Sequence, residues 1–409
     1  MKKISVLLIF ILIYSQSHSQ WMQQNTGTIE TLLGVSFTDL QTGFISGTNG
    51  TILKTNTHGE SWTILASGTT RFLRDIFFSN ATTGWIVGES GLVLKTTNGG
   101  SNWTPQISNT TEHLVHIHFV DLQTGFSSGQ NGVIIRTTNA GVNWTLQNSG
   151  VSVELACVTP VNSDLIYAVG FNGTILKTTN SGENWLSQTS GTTADLRSVY
   201  FPENNTGFVV GYNGTIIKTT NGGINWVPLI SGTTNNLFAV FFYNSSAGTA
   251  VGTGKIIRTT NGGSTWINQP ISFTGDLYDV TFANLSSGWA VGQMGRVFYT
   301  NNGGVGIRLI SSQVPASFAL NQNYPNPFNP VTNLEFGIAK LGFVSLKIYD
   351  MLGKELATLV NSELNPGIYK YEFDASDLTT GIYFYKLWVS TPTGEAGNFK
   401  ETKKMTLIK

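Results

Sequence analysis

Cysteine is nearly absent. Cys157 is the only one in 409 residues, which excludes an intramolecular disulfide and with it any small stapled scaffold. A solitary thiol is expected to serve as a small buried apolar residue. Charge is sparse too. Only 11% of residues are charged, 23 cations against 23 anions, where about 25% is usual. That leaves no basic field for nucleic acid and no acidic tail. Long apolar runs are also missing. The one contender, within residues 4–13, falls short of the ~20 residues that a membrane span needs. Lys2 and Lys3 precede it and Ser17 and Ser19 follow it, so residues 1–19 read as a secretory signal. The mature chain then starts at Gln20 and carries no transmembrane segment. Beyond the signal no stretch shows a convincing helical period.

What the chain has in abundance is glycine, 46 residues, and a repeat. Fixed-period self-similarity points to a repeat architecture. Trp21, Trp62, Trp103, Trp144, Trp185, Trp226 and Trp266 are spaced by 41 residues, with a last step of 40. One further step of 41 reaches Ile307, where the Trp is lost. Gly43, Gly84, Gly125, Gly207, Gly248 and Gly288 keep the same period, with Ile166 in the fourth slot. Both columns count seven units. Each unit holds four short strand signals separated by turn signals. The first strand carries an L-x-x-V-x-F pattern, as in Leu32/Val35/Phe37 and Leu237/Val240/Phe242. The second and third join through Gly-x-x-Gly, often with Asn before the second Gly, which supplies the positive φ of a tight hairpin.

Four strands per unit, a period near 40 and no helix predict an all-β, seven-bladed β-propeller over residues 20–310. Residues 21–24 look like a fourth strand without its first three, and the seventh unit has three strands and the eroded Ile307. Residues 21–24 are therefore expected to pair beside residues 296–300 and close the ring, with residues 307–310 as the competitor. Closure matters because an open ring leaves an unpaired sheet edge.

The turn before each Trp reads Thr96-x-Asn98-x-Gly100-x-x-Trp103 and recurs from Thr137, Thr178, Thr219 and Thr259. A short polar side chain binds its own turn backbone and the Gly takes the strained dihedral. The motif resembles the Asp-box of BNR-repeat propellers, with Asn in the Asp position. It departs at Thr57 and at Ile307. The whole unit, V-G-x-x-G-x-I-L-K-T-T-N-G-G-x-x-W, is similar to the propellers of photosystem II assembly and stability factors, across residues 21–306. The box is a folding device, so this likeness implies a scaffold rather than an activity.

A linker is expected at residues 311–320. The remaining residues 321–409 do not repeat the 41-residue unit. Their alternation, such as Tyr383, Tyr385 and Leu387 against Phe384, Lys386 and Trp388, suits a small antiparallel, Ig-like β-sandwich. This segment resembles the type A C-terminal sorting domain of type IX secretion substrates. The resemblance rests on N-Y-P-N-P-F-N-P at 323–330, L-K-I-Y-D-M-L-G-K at 346–354, G-I-Y-F-Y-K-L at 381–387 and the terminal K-K-M-T-L-I-K. It implies type IX machinery as a partner, a Bacteroidota-like source, and a place outside the cell or on the outer-membrane surface. It also argues against a photosynthetic role.

No catalytic set, metal site or cofactor motif emerges. His113, His116 and His118 lie together, and His116 and His118 share a strand face at a ligand spacing, but nothing completes a donor set. Asp39, Asp121 and Glu203 fill a turn column shared with Asn80, Asn162, Asn244 and Asn284. Glu89, Glu112, Asp195 and Asp276 fall outside the repeat logic. Lys54, Lys95, Arg136, Lys177, Lys218 and Arg258 fill one column, expected to pack their stems along the blade with heads in solvent. Cys157 shares a first-strand column with Gly34, Asp75, His116, Ser198, Ala239 and Asp279.

Ligand contact is assigned instead to Phe171 and Tyr212, neighbouring aromatics expected to be exposed at hairpin tips. Arg74 and Arg197, which break their columns, and His116 join them. Arg71 breaks its column in the same way. The expected function is a non-catalytic extracellular binding or scaffold protein with a glycan or protein ligand. The competing reading, implied by the Asp-box likeness, is a sialidase-like glycoside hydrolase, although no Tyr–Glu pair or arginine motif of that family can be assigned.

Overall fold

The computed structural model describes residues 21–301, 303, 308–375, 378–390 and 399–409. The expected signal at 1–19 and Ile307 lie outside the described residues. Seven four-stranded antiparallel sheets account for the repeats. Blade 1 runs outward through Leu32–Phe37, Gly43–Gly47, Ile52–Thr55 and Thr63–Leu65. The inner strands of blades 2 to 7 are Leu73–Phe78, Leu114–Phe119, Leu155–Pro160, Leu196–Tyr200, Leu237–Phe242 and Leu277–Phe282. Each inner strand touches the inner strands of the blades before and after it, and blade 7 touches blade 1. The ring is closed.

Closure falls to the N-terminal residues. Met22–Gln24 is the outer strand of blade 7, antiparallel to Val297–Thr300, with Met22 opposite Tyr299 and Gln24 opposite Val297. Trp21 is 1% exposed and meets Phe282 edge-on at 5.8 Å, as Trp103 meets Phe78 at 5.9 Å within blade 2. The competitor segment goes elsewhere: Arg308–Ser311 pairs with Gly367–Asp374 of the C-terminal unit. The boundary expected after residue 310 therefore moves to or before 308. The supposed linker at 311–320 holds the end of one strand and another short strand, Ala319–Leu320. Backbone pairing outweighed the period, which at Ile307 had already lost its Trp.

Three devices join neighbouring blades. Aromatic rings of the second strand stack on the terminal Phe of the next inner strand: Phe44 on Phe78 at 3.7 Å, Trp85 on Phe119 at 3.7 Å, and Trp289 across the closure on Phe37 at 3.5 Å. The box turn supplies the second. Thr137 Oγ1 accepts the buried Gly141 N–H at 2.9 Å and donates to Asn139 Oδ1, which accepts the Asn143 N–H. Ala140 and Gly141 sit at φ 58° and 84°, and the outward Ala140 carbonyl takes a hydrogen bond from Trp85 of the preceding blade. The cation column does the same: Lys54, Lys177 and Lys218 donate to Gly99, Gly222 and Gly262 carbonyls at 2.9, 2.7 and 2.8 Å. Their heads are thus seated on the next blade rather than in solvent, because each turn leaves a carbonyl that must be satisfied. The hairpin tips supply the third device. Ser90, Asn172 and Asn213 sit in the left-handed region, and their N–H groups are received by His113, Asp195 and Asn236 of the next blade.

The C-terminal unit is a sandwich of two four-stranded sheets. One holds Arg308–Ser311, Gly367–Asp374, Val331–Ile338 and Ala319–Leu320. The other holds Glu355–Leu364, Gly342–Tyr349, Gly381–Ser390 and Phe399–Leu407. Leu334, Phe336, Val344, Leu346, Tyr385 and Leu387 fill the core between them. The Pro-rich entry is bolted to this core. Asn323 is buried and its N–H binds Tyr385 Oη at 2.7 Å, while Phe328 exchanges backbone hydrogen bonds with Thr406 and Ile408 of the C-terminal segment. Among the described residues no helix is long and apolar enough to cross a membrane.

Candidate functional site

All seven inner strands carry a register shift after their first residue. A bulge re-aims side chains. Here it repeats around the axis and produces three tiers of residues from the hairpin-tip end downward. The first tier is Leu33, Arg74, Val115, Ala156, Arg197, Phe238 and Tyr278.

On one side of this mouth the aromatics converge on a cation. The Arg197 guanidinium lies 5.5 Å from the Phe171 ring, 5.8 Å from Tyr212 and 6.0 Å from Phe238, and 3.4 Å from Glu154 Oε1. Phe238 leads on to Tyr278 at 5.4 Å. Beyond it Gln293 Nε2 donates to Tyr278 Oη and to Asp276 Oδ2, both at 3.1 Å, and Thr253 donates to Asp276 Oδ1 at 2.7 Å. The cluster spans blades 4 to 7. Phe171 and Tyr212 are half-buried rather than exposed, because the arginine between them draws both rings inward. Arg74 stands apart on blade 2, over Phe72 at 5.8 Å.

The second tier is the column of Gly34, Asp75, His116, Cys157, Ser198, Ala239 and Asp279. Inner strands expose an unpaired edge to the axis, and Asp75, Asp279 and Ser198 accept N–H groups along it. Asp75 accepts the Ile76 and Ile117 N–H groups, and Asp279 accepts those of Val280 and Val35, all at 2.8 Å. Each carboxylate clamps its own blade to the next. Gly34 leaves room for this, since an added Cβ would stand 2.7 Å from Asp75 Oδ1. His116 Nε2 lies 3.8 Å from Asp75 Oδ2.

The electrostatics of this tier are unusual. Burial works against a charge on His116, but Cys157 and Asp75, with Asp279, hold the proton and push its pKa up to about 10. Burial opposes ionisation of Cys157, yet the imidazole leaves the thiol below its ordinary value. Burial raises Asp75, and burial together with Asp75 pushes Asp279 up to about 7. The third tier includes Phe77, His118, Thr159, Tyr200 and Phe241. His118 packs on Phe77 at 4.9 Å, and burial with the cation of His116 drops its pKa to about 3.

The structure thus brings Phe171, Tyr212 and Arg197 together and puts His116 one tier below them. The tier that sequence reading passed over is the Asp75–His116–Cys157–Asp279 arc. Its signal was present in the column, where one position holds four titratable residues. The acids outside the repeat logic act at the hairpins: Glu89 accepts the Phe72 N–H and Glu112 binds Asn131. Asp39 and Asp121 cap their own turns. Among the described residues no group of His, Cys, Asp or Glu is arranged to hold a metal ion.

Comparison with known proteins agrees with this architecture. Residues 13–105 and 60–198 match the family of the photosynthesis system II assembly factor YCF48, and residues 322–403 match the secretion system C-terminal sorting domain. A solved YCF48 bound to D1 peptide is 20% identical with a TM-score of 0.61, covering 69% of this chain and 96% of its own. YCF48 from Cyanidioschyzon merolae is 19% identical with a TM-score of 0.59, covering 69% and 98%. The WD40 propeller domain of Doa1 is 10% identical with a TM-score of 0.58, covering 68% and 95%. At these identities the likeness is one of fold. Nothing among the curated proteins matches. The chain therefore joins a propeller with YCF48-like repeats to a sorting domain, the mark of a secreted protein.

Proposed function

We propose, from a YCF48-like propeller joined to a secretion sorting domain, that this is a non-catalytic binding protein. It is exported by the type IX machinery of a Bacteroidota-like bacterium and works outside the cell or on the outer-membrane surface. Its ligand is an extracellular glycan or protein, held at the mouth of the ring. The observation that carries this is the Arg197 cluster with Phe171, Tyr212 and Phe238. Recognition usually sits on loops of a rigid scaffold. The charges in this cluster are spent internally, Arg197 on Glu154 and Asp276 on its three donors. What remains for a ligand is chiefly aromatic surface, which suits stacking on a sugar ring first. The peptide bound by the solved YCF48 makes a protein segment the next ligand to test.

A glycan array probed with the mature chain, beside Phe171→Ala/Tyr212→Ala, tests the site. Binding lost in the double variant supports it; binding that survives places recognition elsewhere. Deleting residues 321–409 should strand the protein in the periplasm, and unchanged surface display would refute the export route. The glycoside hydrolase reading draws on Asp75 and Asp279 at the axis. Both oxygens of each already accept backbone N–H groups, which favours a clamp over acid–base work. Turnover abolished by Asp75→Asn alone would reverse that preference.

A further inference from the structure

The second sheet of the sandwich turns one face to the core and the other outward, and along Gly381–Ser390 the side chains alternate between the two. Lys386 lies outward and pairs directly with Lys347 of Gly342–Tyr349. Lys400 and Lys404 of Phe399–Leu407 flank it diagonally, opposite Trp388 and Phe384. Like charges directly opposite on a sheet repel. Lys347 is answered by Glu355 at 2.8 Å. Lys386 has the Tyr349 ring 5.9 Å from its Nζ, and among the described residues no carboxylate forms an ion pair with Lys386, Lys400 or Lys404.

At one end this sheet closes in the turn at 350–353, and the tip is apolar. Met351 is 69% exposed and Leu352 94%. A turn tip is ordinarily polar. Here the turn holds its apolar side chains outward: Asp350 Oδ1 accepts the Leu352 and Lys354 N–H groups, both at 2.9 Å, and Gly353 takes a φ of 79°. Ile382 and Ile408, at the same end of the sheet, also reach solvent.

Shape and charge together identify the occupant. An apolar tip projecting from a fixed turn fits a medium that opens around it, as a lipid interface does; a folded partner would have to supply a matching socket. The lysines set the sign. Asp350 is engaged in the turn and Glu355 with Lys347, which leaves Lys354, Lys386, Lys400 and Lys404 for anions. Lys347 and Lys386 lie about 13 Å behind Met351 at ~3.3 Å per strand residue. A tip buried ~5–10 Å into the acyl boundary therefore brings their long side chains to the headgroups.

We propose that this end of the sandwich is a docking surface for an anionic lipid bilayer. Met351 and Leu352 enter the acyl boundary, Tyr349 lies at headgroup level, and Lys354, Lys386 and Lys404 bind lipid phosphates. The surface belongs to the C-terminal unit, apart from the mouth of the ring, and does not depend on what the mouth binds.

Sedimentation of the mature chain with vesicles tests it, with phosphatidylcholine alone set against a mixture with phosphatidylglycerol. Binding is expected on the anionic vesicles, weaker on the neutral ones, and weaker as salt rises. A lysine near the surface adds about fivefold, so Lys386→Gln/Lys404→Gln should weaken binding about 25-fold. Met351→Ser/Leu352→Ser should weaken it by about tenfold or more. All four side chains point outward, and melting curves recorded beside the assay show that both variants fold. No binding to the anionic vesicles, or equal binding to the two compositions, would overturn the proposal. Loss in the lysine variant alone would reassign the face to a soluble polyanion, and binding that survives both double variants would place membrane contact elsewhere; either result overturns it.

Discussion

Replacing Trp21 isolates the closure of the ring. The residue is 1% exposed, packs on Phe282, and opens the strand whose three residues pair with Val297–Thr300. Truncating a buried Trp to Ala costs about 3–5 kcal/mol. Unfolding entropy near 2.1 cal/mol/K per residue makes each kcal/mol worth about 1.6 °C in a domain of this size, so Trp21→Ala should lower Tm by about 5–8 °C. Trp144→Ala is the control, because Trp144 is equally buried and packs edge-on against Phe119 in the same way. It lies within a blade continuous in sequence, however. Both variants should lose similar stability. Only Trp21→Ala should also speed amide exchange along Val297–Thr300, whose outer edge Met22–Gln24 covers, and raise aggregation through that edge. Circular dichroism melts with hydrogen-exchange mass spectrometry read both effects. A Trp21→Ala protein that melts within 1 °C of wild type, or whose exchange at 297–300 is unchanged, would refute the closure argument.

Thr137→Val keeps the shape of the box turn but leaves the buried Gly141 N–H without its acceptor, at a cost of about 1–3 kcal/mol; a denaturant midpoint equal to wild type would contradict that role. Gly91→Ala should destabilise far more than Gly68→Ala. Both positions have positive φ, but an added Cβ stands 2.0 Å from the Thr110 carbonyl oxygen at Gly91 and meets nothing within 4 Å at Gly68. Comparable melts would show that backbone strain alone governs these turns. His118 is held neutral with its pKa near 3, below its unfolded value, so its share of stability is present above about pH 6.5 and is lost as pH falls toward 3. His118→Phe, the residue found in the same column at Phe77 and Phe241, should flatten that limb of the stability curve, and urea titrations at pH 7 and pH 4 measure the difference. His116 has the opposite sign: its pKa of about 10 gives stability that is complete below about pH 6.5 and fades as pH rises through 10.

The sequence by itself determined the blade. A 41-residue period, Asn-Gly hairpin tips and the Thr-x-Asn-x-Gly box are local chemistry, and each forms as written: Asn213 takes its left-handed φ of 58° and Thr137 caps Gly141. Seven such units can bury their faces only against one another, so the ring was also legible, including the role of residues 21–24 as its last strand. Phe171 and Tyr212 could be named as neighbouring aromatics at hairpin tips, and Arg197 from the break it makes in its column. Tertiary structure decided what these residues do. Arg197 gathers rings from the tips of blades 4 and 5 and from the inner strand of blade 6, and in doing so half-buries the aromatics. It also decided that Lys54, Lys177 and Lys218 reach the next blade, and that residues 308–311 join the sandwich rather than the propeller. It also set the Asp75 carboxylate within 3.8 Å of the His116 imidazole. The two are 41 residues apart, a distance at which sequence shows only a shared column; bulged strands closing on one axis turn that column into contact.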